Sequence, residues 1–210
     1  MSHRPNSLRC TVAIAALALL FVTLRALAAP LASAASTEVL RMPTADVLPF
    51  GRLSLEAGFP FESTIQKATI GLPRGFQLAA AVPPGGTYAE GLTADLRYRL
   101  IEESLVTPSV AFGAIGNTKS GVFSPYAVAT KGLFTAKLTA GALLDRLVSG
   151  SGDPLFAGID LAVLGPLHAV AEYEDGTTRL GAKLSFLNAE VKAYLDGAKL
   201  NVLGRLILPF

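Results

Sequence analysis

The fold is decided by the stretch Leu92-Thr-Ala-Asp-Leu-Arg-Tyr-Arg-Leu100. Side chains on an extended strand point alternately to its two faces. Leucine, alanine and tyrosine therefore share one face of this stretch, while threonine, aspartate and arginine share the other. The alternation predicts a β-strand with one apolar face and one charged face.

The same alternation recurs along the rest of the chain, in short runs bounded by Gly, Pro, Asn or Asp. Asp-Gly at 175–176 and at 196–197 favours tight hairpins, and residues 145–154 are predicted to form the longest later loop. The runs predict an all-β fold, an antiparallel up-and-down meander closed into a β-barrel of about 10–12 strands. The predicted strands are Arg52–Phe59, Gln66–Leu72, Phe76–Val82, Leu92–Leu100, Thr107–Ile115, Phe123–Thr130, Phe134–Leu143, Leu155–Leu164, Leu167–Glu174, Thr178–Leu184, Ala189–Leu195 and Lys199–Leu208.

The N-terminus is predicted to be a helical secretory signal peptide. Arg4 and Arg9 precede an apolar run from Thr11 to Leu24, and small residues follow it. The run is shorter than the roughly twenty residues that a membrane-spanning helix needs. The candidate cleavage sites follow Ala28, Ala34 and Ala35. We therefore predict a signal peptide (1–35), an extended lead-in (36–50) and a β-barrel domain (51–210); the sequence leaves open whether the lead-in occupies the barrel mouth or forms a linker.

The charge and cysteine content of the mature chain excludes several classes of site. Three of the 18 Lys and Arg residues, but none of the 16 Asp and Glu residues, lie in the predicted signal peptide, so the mature net charge is −1. A basic surface for nucleic acid is therefore not expected. The only cysteine, Cys10, lies in the signal peptide, which leaves the mature chain without thiol chemistry. No cofactor or metal is predicted.

Alternation alone does not say which face meets water, because soluble and membrane barrels share the same pattern. Three features favour lipid on the apolar side. The first is the export signal, and the second is the prevalence of Ala, Leu and Val in mid-strand. The third is the position of aromatic residues near strand ends, as in the girdles of membrane barrels. The terminal Phe210 is predicted to be an assembly signal. We therefore expect the cell outer membrane as the location, with its lipid and the barrel-assembly machinery as partners. The candidate girdle residues are Phe59, Phe76, Tyr98, Phe123, Phe134, Phe156, Tyr173, Phe186 and Tyr194.

On this interpretation the charged face lines the lumen of the barrel. Charges of both signs occur, so neighbouring strands can pair them, and such a mixed lining predicts no strong ion selectivity. The predicted lining residues are Arg52, Glu56, Asp95, Arg97, Arg99, Asp160, Glu172, Glu174, Arg179, Lys183, Glu190 and Lys192.

Several short motifs resemble the YjbH-like outer-membrane barrel proteins associated with bacterial exopolysaccharide production. They occur at residues 94–113 and 124–131, at Met42-Pro-Thr-Ala-Asp46, at Phe156-Ala-Gly-Ile-Asp160 and at Ala171-Glu-Tyr173. The resemblance implies an outer-membrane barrel that assists export or surface organisation of a polysaccharide, with the polysaccharide or its export proteins as partners. It supplies no catalytic residues.

We therefore predict a structural or transport barrel and no enzyme. His168 has no adjacent serine, and the spacing of Glu172 and Glu174 is also what a charged lining produces. Two alternatives stay open. One is a soluble periplasmic β-barrel that binds lipid or polysaccharide with its apolar set turned inward; the other is a lipid-modifying enzyme that uses His168 or the two glutamates.

Overall fold

The computed structural model describes residues 38–59, 66–82 and 91–210, which form a closed barrel of twelve antiparallel strands. Each strand pairs with the next along the chain, and β1 pairs with β12 to close the barrel. The predicted up-and-down meander is confirmed, and the strand number lies at the upper end of the predicted range. The signal peptide and its three candidate cleavage sites lie outside the described residues. The strands are β1 Arg52–Phe59, β2 Lys67–Gly71, β3 Phe76–Ala81, β4 Thr93–Ile101, β5 Ser109–Asn117, β6 Val122–Leu133, β7 Ala136–Leu143, β8 Leu155–Leu164, β9 Leu167–Glu174, β10 Thr177–Phe186, β11 Ala189–Asp196 and β12 Lys199–Pro209.

Two local features differ from the sequence prediction. Phe134, predicted to begin a strand, lies in the β6–β7 turn with a φ of 50°. The predicted loop at 145–154 contains a short helix, α1 Leu144–Ser149, which ends at Gly150 in the left-handed conformation. None of the helical segments within the described ranges is long and apolar enough to cross a bilayer.

The two faces of the sheet differ in exposure in the opposite sense to a soluble barrel. Large apolar side chains such as Leu96, which is 49% exposed, project from the outer surface, whereas Arg97 beside it is 1% exposed. The same contrast holds on β3, where Leu78 is exposed and Gln77 is buried. The apolar face therefore points outward and the polar face points into the barrel.

Aromatic side chains inside the barrel lie across glycines of the neighbouring strand. Gly113 faces Tyr126, and a Cβ on this glycine would lie 2.4 Å from the tyrosine hydroxyl. Phe156 and Tyr194, predicted to belong to an outer girdle, are buried inside the barrel, so that prediction was wrong for these two residues. The reason is their register: each sits at an inward position where a glycine on the paired strand leaves room for the ring. The pairs are Gly113 with Tyr126, Gly141 with Phe156, and Gly181 with Tyr194.

The lead-in enters the lumen. We call residues 38–48 the inner segment; its apolar side chains are buried, and it folds back on itself through a bridge between Glu38 and Pro43. We call the barrel end at which Phe50 and Phe210 lie the terminal end, and the opposite one the far end. Starting from the terminal end, the inner segment crosses the lumen toward the far end.

Candidate functional site: the filled lumen

The carboxylate of Glu172, on β9, holds the turn of the inner segment. Its Oε2 accepts hydrogen bonds from three consecutive backbone N–H groups, those of Leu40 at 3.0 Å, Arg41 at 2.8 Å and Met42 at 2.8 Å. Its Oε1 accepts a hydrogen bond from Arg179 Nη1 at 3.1 Å. A buried carboxylate is stable only when such donors replace water, and here they come from the inner segment and β10.

Two lysines also contact this turn. Lys192 Nζ, on β11, lies 3.5 Å from the carbonyl oxygens of both Glu38 and Leu40, and 3.4 Å from the carboxylate of Glu190. Lys67, on β2, forms an ion pair with the Glu38 side chain. The N–H groups of the turn therefore donate to the carboxylate of Glu172, and its carbonyl groups face the ammonium group of Lys192.

A buried triad on β4 and β6 holds the middle of the inner segment. Arg97 Nη2 donates to Asp95 at 2.7 Å, Arg97 Nε donates to the Tyr126 hydroxyl at 2.9 Å, and that hydroxyl donates to Asp95 at 2.6 Å. The remaining Nη1 of Arg97 donates to the carbonyl oxygens of Thr44 at 3.0 Å and Asp46 at 3.2 Å. The triad fixes the guanidinium so that it meets two backbone carbonyls.

Neutral side chains complete the contacts to the backbone. Ala45 N–H donates to Thr130 Oγ1 at 2.8 Å, and Leu48 N–H donates to Gln77 Oε1 at 2.8 Å. The inner segment also contributes an ion pair of its own, between Asp46 and Lys137 on β7. Strands from around the whole circumference thus contact one peptide.

All twelve predicted lining residues lie at inward positions of their strands, according to the pairing register. Arg52, Glu56, Arg99 and Glu174 are half-buried, and the other eight are buried. Three of the twelve, Arg97, Glu172 and Lys192, contact the inner segment backbone directly. The prediction missed Gln77, Tyr126 and Thr130. Their neutral side chains did not mark them as site residues.

The groups considered for catalysis have structural partners. His168 Nδ1 lies 2.7 Å from Asp160 Oδ1, and the same carboxylate pairs with Lys183. Glu172 and Glu174 both accept hydrogen bonds from Arg179. Within the described residues, no group of three or more His, Cys, Asp and Glu side chains is arranged to hold a metal ion.

The far end carries an exposed carboxylate with a shifted pKa. The Ser124 hydroxyl donates a hydrogen bond to Asp145 at 2.7 Å, which holds the pKa of Asp145 below its ordinary value because the bond favours the ionised form. This contact ties the start of α1 to β6.

No protein-family model matches the chain, and no curated protein matches it either. The function is therefore argued from the chemistry of the barrel itself. Its distinctive features are an apolar outer surface, a charged interior and a peptide bound within that interior.

Proposed function

We propose that this chain is a bacterial outer-membrane β-barrel whose outer surface contacts lipid. The observation that carries the proposal is the distribution of polarity, with charged side chains buried inside and leucine, valine and phenylalanine exposed around the outside. In water these apolar side chains would stay exposed to solvent, whereas in a bilayer lipid chains would cover them. A closed barrel is also a form in which strands can cross a membrane, because every strand edge is paired.

The outer aromatic residues support the same proposal. Phe76 and Tyr98 stack on the outer surface near the terminal end, with ring centroids 4.5 Å apart. Phe123 and Tyr173 are exposed near the far end. Aromatic side chains at two levels are typical of membrane barrels, where they lie at the two interfaces.

The connections between strands differ at the two ends. The longest ones, residues 82–92 and 144–154, belong to the far end, whereas three of the connections at the terminal end are two-residue turns, at 134–135, 165–166 and 187–188. Bacterial outer-membrane barrels have short periplasmic turns and longer extracellular loops. The terminal end, which carries Phe210, is accordingly the periplasmic end in this proposal.

To test membrane insertion, the full chain is expressed with its export signal and the processed protein is then analysed. We expect it to fractionate with outer membranes and to migrate differently on a gel before and after heating, as folded membrane barrels do. The alternative of a soluble periplasmic barrel requires a monomeric, detergent-free mature protein. Recovery of such a protein in the periplasmic fraction, with no heat-dependent shift, would overturn the proposal.

The role in polysaccharide export or surface organisation rests on the resemblance to YjbH-like proteins. We propose that the barrel acts there without catalysis, as a structural or transport component. Deletion of the gene is expected to lower surface exopolysaccharide, and the intact gene to restore it. A variant with His168, Glu172 and Glu174 all replaced would distinguish an enzyme from a barrel without activity, if its folded form is first verified by gel mobility. Full restoration by this folded variant would exclude catalysis by these three residues.

A further inference from the structure

The wall contacts the peptide backbone of the inner segment at several points along its length. Glu172 accepts its N–H groups, Thr130 and Gln77 accept two more, and Lys192 and Arg97 donate to its carbonyl groups. Backbone N–H and C=O groups are present in nearly every residue. The wall therefore recognises the backbone of a turned peptide, and Val39, Leu40, Met42 and Ala45 add buried apolar surface.

The inner segment is a ligand of the wall and does not extend its sheet. Its only β-bridge among the described residues is the internal one between Glu38 and Pro43. The twelve strands close the barrel without it. Covalently it is joined to the wall through residues 49–51, beside the exposed Phe50. The wall behind it is mixed: charged and hydroxyl side chains lie beside an apolar cluster that includes Val128, Phe156 and Val170. Water can replace the peptide at the polar groups, whereas its release exposes the apolar cluster.

We propose that the lumen is a binding site for a polypeptide backbone that contains a tight turn, that residues 38–48 are its resident ligand, and that their release opens an aqueous path through the barrel. The aqueous path, which is the second half of this inference, rests on the proposed membrane function. The first half, reversible peptide binding, does not.

The test uses the full folded chain. A recognition sequence for a specific protease is inserted between Pro49 and Phe50, the barrel is folded, and cleavage then converts the inner segment into a separate peptide. In detergent, a fluorescent synthetic peptide of residues 36–50 should exchange with the cleaved segment, which fluorescence anisotropy would report. A second peptide, N-methylated at Leu40, Arg41 and Met42, keeps every side chain but removes the three donors to Glu172; we expect it to bind at least about tenfold more weakly.

Vesicles test the opening of the path. Cleaved barrels in vesicles should leak ions after the segment is washed away, and added peptide should stop the leak. The matched control carries Ala45→Cys and Thr130→Cys, two positions joined by a hydrogen bond of 2.8 Å. When these cysteines are oxidised, the cleaved barrel should stay closed, and reduction of the same protein should allow it to open.

The outcomes separate the two proposals. A cleaved segment that never exchanges, a barrel that loses its heat-resistant mobility when the segment leaves, or equal binding of the N-methylated peptide would each overturn the inference while leaving the membrane proposal intact. Exchange in detergent by a barrel that does not insert into vesicles would overturn the membrane proposal and support the peptide site. Exchange with no leak from inserted barrels would overturn the aqueous path.

Discussion

At the residue scale, Glu172 accepts three backbone hydrogen bonds from the inner segment. Glu172→Gln removes the charge that three N–H groups and Arg179 share. We expect the free energy of unfolding to fall by about 1–3 kcal/mol, since hydrogen bonds to charged groups are worth this much. The measurement is denaturant unfolding in lipid vesicles. Glu174→Gln is the matched control, because Glu174 pairs with the same arginine but is 34% exposed; its cost should stay below about 1 kcal/mol, and equal losses would contradict the assignment.

A second residue-scale prediction concerns the space that glycine leaves for Tyr126. The tyrosine ring cannot swing away from a new methyl group at Gly113, because its hydroxyl is fixed by Asp95 and Arg97. Gly113→Ala should therefore destabilise the barrel by about 1–3 kcal/mol, as overpacking does. On the outer surface, nothing lies within 4 Å of a Cβ at Gly204, so Gly204→Ala should be neutral or slightly stabilising. Similar thermal unfolding midpoints for the two variants would refute this packing argument.

At the scale of the strand, the outer face of β4 tests the contact with lipid. Leu96 lies near the middle of this strand, and a lysine there would face hydrocarbon in a membrane but water in a soluble barrel. We expect Leu96→Lys to cost about 2–4 kcal/mol when folding into vesicles is measured. Leu105, in the β4–β5 connection, is 99% exposed, and Leu105→Lys should change stability by less than about 0.5 kcal/mol. A neutral Leu96→Lys would argue that β4 faces water.

Local alternation within single strands explains which parts of the fold the sequence could predict. Twelve strands were recognisable because alternation is a local property, visible within five to ten residues of any strand. The position of the inner segment was not recognisable, since Glu172 lies 132 residues from Leu40 and Thr130 lies 85 residues from Ala45. These contacts are made to backbone groups, which leave no side-chain pattern. Phe156 and Tyr194 were misplaced for a related reason: their inward position depends on a glycine of another strand.

At the scale of the whole molecule, the inner segment changes the charge balance of the lumen. Its cation Arg41 pairs with Asp196, and its two carboxylates, Glu38 and Asp46, pair with Lys67 and Lys137 of the wall. In the filled barrel these lysines are therefore neutralised by residues that precede β1. Departure of the segment would remove two negative charges and one positive charge, so the lumen would become more positive by one charge. The sequence alone predicts a lining without strong selectivity.

The resulting prediction concerns ion preference. Barrels that have been cleaved between residues 49 and 50, washed free of the segment and placed in a planar bilayer should pass chloride more readily than potassium, as judged by the reversal potential under a KCl gradient. The physical reason is that Lys67 and Lys137 would attract anions once Glu38 and Asp46 are absent. Lys67→Gln and Lys137→Gln together should abolish the preference, whereas Lys119→Gln, in the β5–β6 turn at the far end, should leave it largely unchanged. A potassium preference in the washed barrel would contradict this prediction. It would show that acidic residues of the wall, such as Glu172 and Glu174, set the electrostatic potential of the lumen after the peptide has left.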